Sequence, residues 1–284
     1  MRINLAKSAG FCFGVRRAIN IAIRTAAEKK NACMLGDIVH NEDVVRDIHR
    51  SGIQKIRRLD EGKGRALILR AHGASLDTVK RAERLGYKII DATCPMVKEI
   101  HRIAANMEKS GRKIIIIGDK RHDEVRGIAG QLEGKAIVID AIKNIPFRAL
   151  KKTKKACVVV QSTQNIDKVF KIVRALKRTV PDLKFFNTVC RPTRLKQKEI
   201  KSMPLKNEIM LIVGSKTSAN TKRLYEISKS INKNSYWIRS KEGLKRSWFP
   251  GIKSVGITGG ASTPDKTIKE VICRLRTIAK ARGY

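Results

Sequence analysis

Acidic residues are scarce. Only 25 Asp and Glu stand against 62 Lys and Arg in 284 residues, which leaves a formal net charge of +37. Aromatic residues make up 5% of the chain. That removes the interleaved aromatic platform on which single-stranded nucleic acids stack, and it leaves the core to Ile, Val, Leu and Ala. Apolar runs such as IIII at 114–117 and CVVV at 157–160 fall far short of the roughly 20 residues of a membrane span. The first residues, MRINLAKSAGFCFG, lack the apolar stretch of a signal peptide. No two cysteines form a C-x-x-C pair, which argues against zinc ribbons, thioredoxin-like redox motifs and bacterial ferredoxin runs. The Walker-A pattern is absent, as is a G-x-G-x-x-G after a strand, so neither ATP nor NAD(P) is indicated. A soluble, cytoplasmic protein with reduced thiols is expected.

What is present suffices for a folded chain. Apolar residues reach 42%, enough for a sizeable core and too many for wholesale disorder. The positive charge points to anionic partners. Its basic pairs are spread along the chain (Lys29-Lys30, Arg57-Arg58, Lys151-Lys152, Lys154-Lys155) rather than gathered in one arm. This favours a general compositional bias over a nucleic-acid site.

Short β-rich runs alternate with helical patterns from end to end. Strands are expected at 2–6, 32–35, 65–70, 87–91, 113–117, 135–139, 156–161, 183–187, 208–213, 235–238 and 254–258. Helices are expected at 14–29, 41–50, 76–85, 96–109, 123–132, 166–179, 193–203, 219–232 and 265–281. Runs such as ALIL, IIII and IMLIV are apolar throughout rather than alternating, which means burial on both faces and so parallel sheets covered by helices. The class is α/β. The basic stretch 143–155, with Pro146, reads as a solvated connection.

Ligands of open parallel sheets bind outside the carboxyl ends of the strands. Those ends read Ala71-His72-Gly73, Ala92-Thr93-Cys94-Pro95, Gly118 to Glu124, Ser162-Thr163, Thr188-Val189-Cys190, Gly214 to Asn220 and Gly259 to Pro264. Cys33, Cys157 and Cys273 lie inside a strand or helix pattern and read as buried structural thiols. Cys12, Cys94 and Cys190 sit at breaks, far apart in the chain, one for each lobe of a three-lobed chain. Three such thiolates could hold zinc with an open position, hold three irons of a cubane cluster, or be unrelated. Zinc sites usually mix in His, so an iron–sulfur centre with one iron left open is preferred.

Among the histidines, His49 and His101 fall in helical patterns and read as surface or satisfied core groups. His40, His72 and His122 fall at loops beside the cysteines and can donate to phosphate oxygens. Ser218 and Asn220 open one helix and Ser262 precedes another. Ordinary capping explains such residues; anion binding at a helix N-terminus is the functional alternative. Glu124 is the carboxylate best placed to donate a proton, although a first-turn Glu also suits the helix dipole.

These strings together resemble the LytB-type 4-hydroxy-3-methylbut-2-enyl diphosphate reductases of the non-mevalonate isoprenoid pathway. The similar segments are AGFCFGVRRAI (9–19), GDIVHNEDVV (36–45), RAHGAS (70–75), DATCPMV (91–97), HDEVRGIAGQ (122–131), QST (161–163), TVCRPTRLKQ (188–197), VGSKTSANTKRL (213–224) and GITGGASTPD (256–265). They span the chain in order. The resemblance implies three αβα domains with mainly parallel sheets, in a cloverleaf around a central 4Fe–4S cluster, here divided at 1–94, 95–190 and 191–284. It implies that Cys12, Cys94 and Cys190 hold the cluster and that the fourth iron takes the substrate's hydroxyl oxygen. It makes His40, His72, His122, Ser218, Asn220 and Ser262 the diphosphate contacts, and Glu124 the proton donor. The implied reaction is a two-electron reductive dehydration giving isopentenyl and dimethylallyl diphosphate. An acidic ferredoxin or flavodoxin is the expected electron donor.

Three departures stand out. Ser162 replaces a usual Thr but keeps the hydroxyl of a proton relay. Ala219 replaces a second Ser, so any diphosphate contact there must come from its N–H. Asp123 replaces a Pro, and a second carboxylate beside Glu124 would favour the protonated acid. Two rivals predict differently. A cluster enzyme of the quinolinate synthase type would not need the S-x-N and GGAS helix starts, and a basic RNA-binding protein would not need cysteines at strand ends.

Overall fold

The computed structural model describes residues 1–280. The chain begins with β1 (Arg2–Leu5) and α1 (Phe13–Glu28). Next come β2 (Ala32–Leu35), α2 (Glu42–Arg50), β3 (Gln54–Ile56), β4 (Ala66–Leu69), α3 (Leu76–Arg84) and β5 (Lys88–Asp91). Their four strands form a parallel sheet in the order β3-β2-β4-β5. A second parallel sheet, β7-β6-β8-β9, is built from α4 (Pro95–Lys109), β6 (Lys113–Ile117), α5 (Asp123–Ala129), β7 (Ile137–Ile139), α6 (Phe147–Leu150), β8 (Lys155–Val160), α7 (Ile166–Lys177) and β9 (Asp182–Phe185). The third comprises α8 (Arg191–Ser202), β10 (Ile209–Val213), α9 (Ala219–Ile231), β11 (Ser235–Ile238), β12 (Ser254–Gly259) and α10 (Asp265–Lys280). Its order is β1-β12-β10-β11.

Two compact units contain these elements. One joins residues 1–15, 40–44 and the chain from 191 onward; the other holds 16–39 and 45–190, with the first and second sheets. The strand 2–6, which falls by chain order in the expected first segment 1–94, pairs instead with β12, Arg2 opposite Ser254 and Leu5 opposite Ile257. Its short alternating RINL pattern marks a half-buried edge strand but cannot name a partner so distant in sequence.

The uniformly apolar strands are buried on both sides. In the second sheet Ile115, Ile117, Val158 and Val160 face one core, while Ile114, Ile116, Cys157 and Val159 face the other. That is the period-2 alternation of a strand covered on both faces. Each such side chain contributes about 1.5–3 kcal/mol on burial.

Three further details differ from the sequence reading. β3 is a three-residue strand with only Ile56 buried, too short to give a pattern. The stretch 143–155 is not merely a solvated connection: it carries α6, and Ile145 and Leu150 are packed into the core under the second sheet. Cys273 is exposed because α10 turns Ile268, Val271, Leu275 and Ile278 inward and leaves residue 273 on the outer face. The expected helix end at 281 lies outside the described residues. Among the described residues no helix is long and apolar enough to cross a membrane.

Candidate active site

In the unit that carries the third sheet, the site residues gather at the carboxyl ends of β10 and β12. Cys12 is half-exposed and immediately precedes α1. The loop before it needs glycine: Gly10 has φ +91, and a Cβ there would meet Asp265 Oδ1 at 2.4 Å. The Cys12 N–H donates to the Ala261 carbonyl at 3.1 Å. The next residue, Ser262, is buried and donates from its hydroxyl to the His40 carbonyl at 3.1 Å. Asn41 caps α2 by accepting from the N–H groups of Asp43 and Val44, each at 3.1 Å.

The start of α9 combines a cap with an open donor set. Ser218 is the N-cap, its hydroxyl oxygen accepting from Thr221 N–H at 3.3 Å. Ala219 and Asn220 open the helix, so their N–H groups lie outside its ladder. Asn220 is 4% exposed, yet its Nδ2 has no hydrogen-bond partner, and neither has Thr221 Oγ1. A buried amide donor without an acceptor costs free energy. Beside the positive end of a helix, such a donor suits an anionic acceptor.

In the unit that carries the first and second sheets, His122 is the N-cap of α5, and its Nδ1 accepts from Glu124 N–H at 3.1 Å. A neutral ring that accepts at Nδ1 carries its proton on Nε2, which makes Nε2 a donor. The His72 and His122 rings meet edge to face, with centroids 5.4 Å apart. Glu124 is 1% exposed. Its Oε1 accepts from the Ser162 N–H at 2.5 Å and its Oε2 from the Ser162 hydroxyl at 2.8 Å. Those two donors offset the cost of burying a carboxyl group. The neighbouring carboxylate of Asp123 is ion-paired, with Arg70 Nη1 2.6 Å from its Oδ2.

One local device occurs at all three loop cysteines. Each is half-exposed, each stands directly before a helix, and each donates its own N–H to a carbonyl at or just before a candidate polar residue. Cys94 donates to Ala71, the neighbour of His72, at 3.0 Å, and Cys190 to Ser162 at 3.0 Å. Cys12 bonds to Ala261, the neighbour of Ser262, in the same way. By contrast Cys33 and Cys157 are buried inside strands. Burial pushes both thiols up, Cys157 to about 11, so they stay protonated and inert. The sorting of the cysteines by local pattern thus agrees with their burial, except at Cys273. Each of the three loop thiols is half-exposed at a helix start, a setting in which a thiolate is free to bind a metal.

One residue escaped the sequence reading. His101 is not a satisfied group: its buried Nε2 has no hydrogen-bond partner. Burial pushes it down to about 4, with Asp91 opposing. It wedges between two glycines. A Cβ on Gly73 (φ +77) would lie 2.7 Å from His101 Cε1, and one on Gly127 would lie 3.4 Å from Nε2. It therefore sets the spacing between the loop of His72 and the helix that carries Glu124. The only hint in the sequence was glycine at 73 and 127.

The fold and these groups together define an α/β protein with parallel sheets, a buried carboxyl group, an unpartnered amide donor at a helix start and three half-exposed thiols before helices. The chain belongs to the LytB protein family, whose pattern matches residues 3–276. It is 37% identical over 284 residues to the 4-hydroxy-3-methylbut-2-enyl diphosphate reductase of Aquifex aeolicus, covering 99% of this chain and 98% of the relative. It is 37% identical over 280 residues to that of Campylobacter hominis, covering 98% and 100%. Its fold is similar to a solved (E)-4-hydroxy-3-methyl-but-2-enyl diphosphate reductase, the terminal enzyme of the non-mevalonate pathway, with a TM-score of 0.72 and 37% identity over 98% of this chain and 100% of that one. The corresponding reductase structure from Plasmodium falciparum gives a TM-score of 0.89 at 27% identity, covering 96% and 87%. The expected α/β class with parallel sheets is borne out.

Proposed function

We propose that this chain reduces 4-hydroxy-3-methylbut-2-enyl diphosphate to isopentenyl and dimethylallyl diphosphate in a reducing cytoplasm. The observation that carries this reading is the continuous chain from Glu124 through Ser162 to Cys190. The buried Glu124 carboxyl group meets the hydroxyl of Ser162, and the carbonyl of that same residue accepts from the N–H of Cys190, one of the three thiols that would hold the cluster.

Cys12, Cys94 and Cys190 would hold a 4Fe–4S cluster, which when bound supplies electrons and a Lewis-acidic iron for the substrate's hydroxyl oxygen. The diphosphate is held by donors from His40, His72 and His122, the Ser218, Asn220 and Ser262 side chains, and the N–H of Ala219. The unpartnered Nδ2 of Asn220 supports this assignment. Protonated Glu124 gives its proton to the Ser162 oxygen, and the Ser162 hydroxyl proton passes to the leaving oxygen, which departs as water. The overall change breaks one C–O bond, takes up two electrons and two protons, and forms one C–H bond at either end of the allyl unit. Diphosphate binding, remote from the reacting carbon, fixes the position of the hydroxyl. An acidic ferredoxin or flavodoxin supplies the electrons.

The test is anaerobic purification with iron and sulfide analysis, followed by turnover of the hydroxylated five-carbon diphosphate. Iron, sulfide and both products are expected. A metal-free chain that remains inactive after reconstitution with iron and sulfide rejects the reading.

A further inference from the structure

Lys196 is 2% exposed, one of the largest fully buried side chains. It lies on α8, one turn before Glu199. Its ammonium donates to three backbone carbonyls: Ser8, Gly10 at 3.0 Å and Gly259 at 3.1 Å. Glu199 takes the complementary groups of the same loop. Its Oε2 accepts from the Ser8 N–H at 3.0 Å and from the Ser8 hydroxyl at 2.5 Å. The two backbones so joined already lie close, since a Cβ on Gly259 would come within 3.0 Å of Gly10 N.

Fold stability alone does not call for a lysine here. Burying a cation costs more than burying an apolar side chain of equal length. An ammonium, however, has three donors, and these collect carbonyls from two segments that carry the site. Gly10 lies two residues before Cys12, and Gly259 three residues before Ser262. The Cys12 N–H bond to Ala261 continues the same junction.

We infer that Lys196 is a positioning residue whose buried ammonium locks the Cys12 loop to the turn bearing Ser262, so that the cluster ligand and the diphosphate contact are held in one register. The inference rests on the reading of the site above as far as the cluster is concerned; the lock itself does not. The fixed positive charge beside the Cys12 loop also favours the more reduced state of an iron–sulfur centre.

Two variants of the full-length chain test this. K196M removes the donors and the charge at similar length, and E199Q loosens Ser8 alone. Amide hydrogen exchange in K196M is expected to rise about tenfold at 8–12 and 260–262 while β10 keeps its protection. E199Q is expected to show the rise at 8–10 only. In the cluster-loaded chain, K196M is expected to lose iron to a chelator about tenfold faster and to have a lower midpoint potential. Unchanged exchange at both segments, a uniform rise that includes β10, or an unchanged potential overturns the inference. If the unaltered chain binds no iron, the cluster assignment fails, and the exchange measurement still decides the lock.

Discussion

Ser162 donates two hydrogen bonds to the buried Glu124, so a change to either residue is felt as chemistry before it is felt as shape. Glu124→Gln keeps a carbonyl oxygen for the Ser162 N–H and loses the transferable proton. Substrate affinity is expected to stay within a few-fold, while turnover falls by about 10²–10⁴. Calorimetric binding beside a single-turnover assay checks this, and near-normal turnover removes Glu124 from the role. Cys94→Ser is expected to lose iron and activity together, read as iron per chain after reconstitution; full iron content would strike Cys94 from the ligand set. Most of these residues were legible in the sequence because chemistry-bearing types stood where strands end. Their partners were not. Nothing local to Asp123 announces Arg70, and nothing in QST announces that Ser162 holds both Glu124 and the backbone of Cys190.

At the scale of elements, the helix starts do most of the positioning. α4, α5 and α9 begin with Cys94, His122 and Ser218 at their caps. The sequence marks such starts well, through Pro95, the Asp123-Glu124 pair and the Ser218-x-Asn220 string. It does not reveal how helices pack, and His101 of α4 shows the difference. Its folded value of about 4 lies below the ordinary 6.5, so between those values the unfolded chain binds more protons than the folded one. Stability therefore rises with pH across this window and is lost as pH falls through it, by about 3 kcal/mol in all. Urea midpoints measured at pH 4.5 and 7.5 (both set by the experimenter, roughly the edges of that window) are expected to converge in His101→Phe. An equal pH dependence in that variant would assign the effect to other groups.

On the scale of the whole molecule, the net charge of +37 reaches further than any contact. Such a field draws acidic surfaces in before orientation is set, and salt screens it over about 10 Å at 0.1 M. Turnover with reduced ferredoxin or flavodoxin is expected to fall steadily as salt is added. A rate indifferent to ionic strength, with a small chemical reductant as control, would detach the charge from electron delivery. Composition made the sign of this field plain, and hydropathy pattern made the parallel α/β class plain. The pairing of β1 with β12 was beyond either, because a parallel edge strand joins residues separated by nearly the whole chain. That pairing bears on biosynthesis. During synthesis β1 finds its neighbour only when β12 follows it out of the ribosome, and the N–H of Cys12 must wait for Ala261. The loop of Cys12 thus stays unseated until β12 has been made, so the junction at Ala261 closes late.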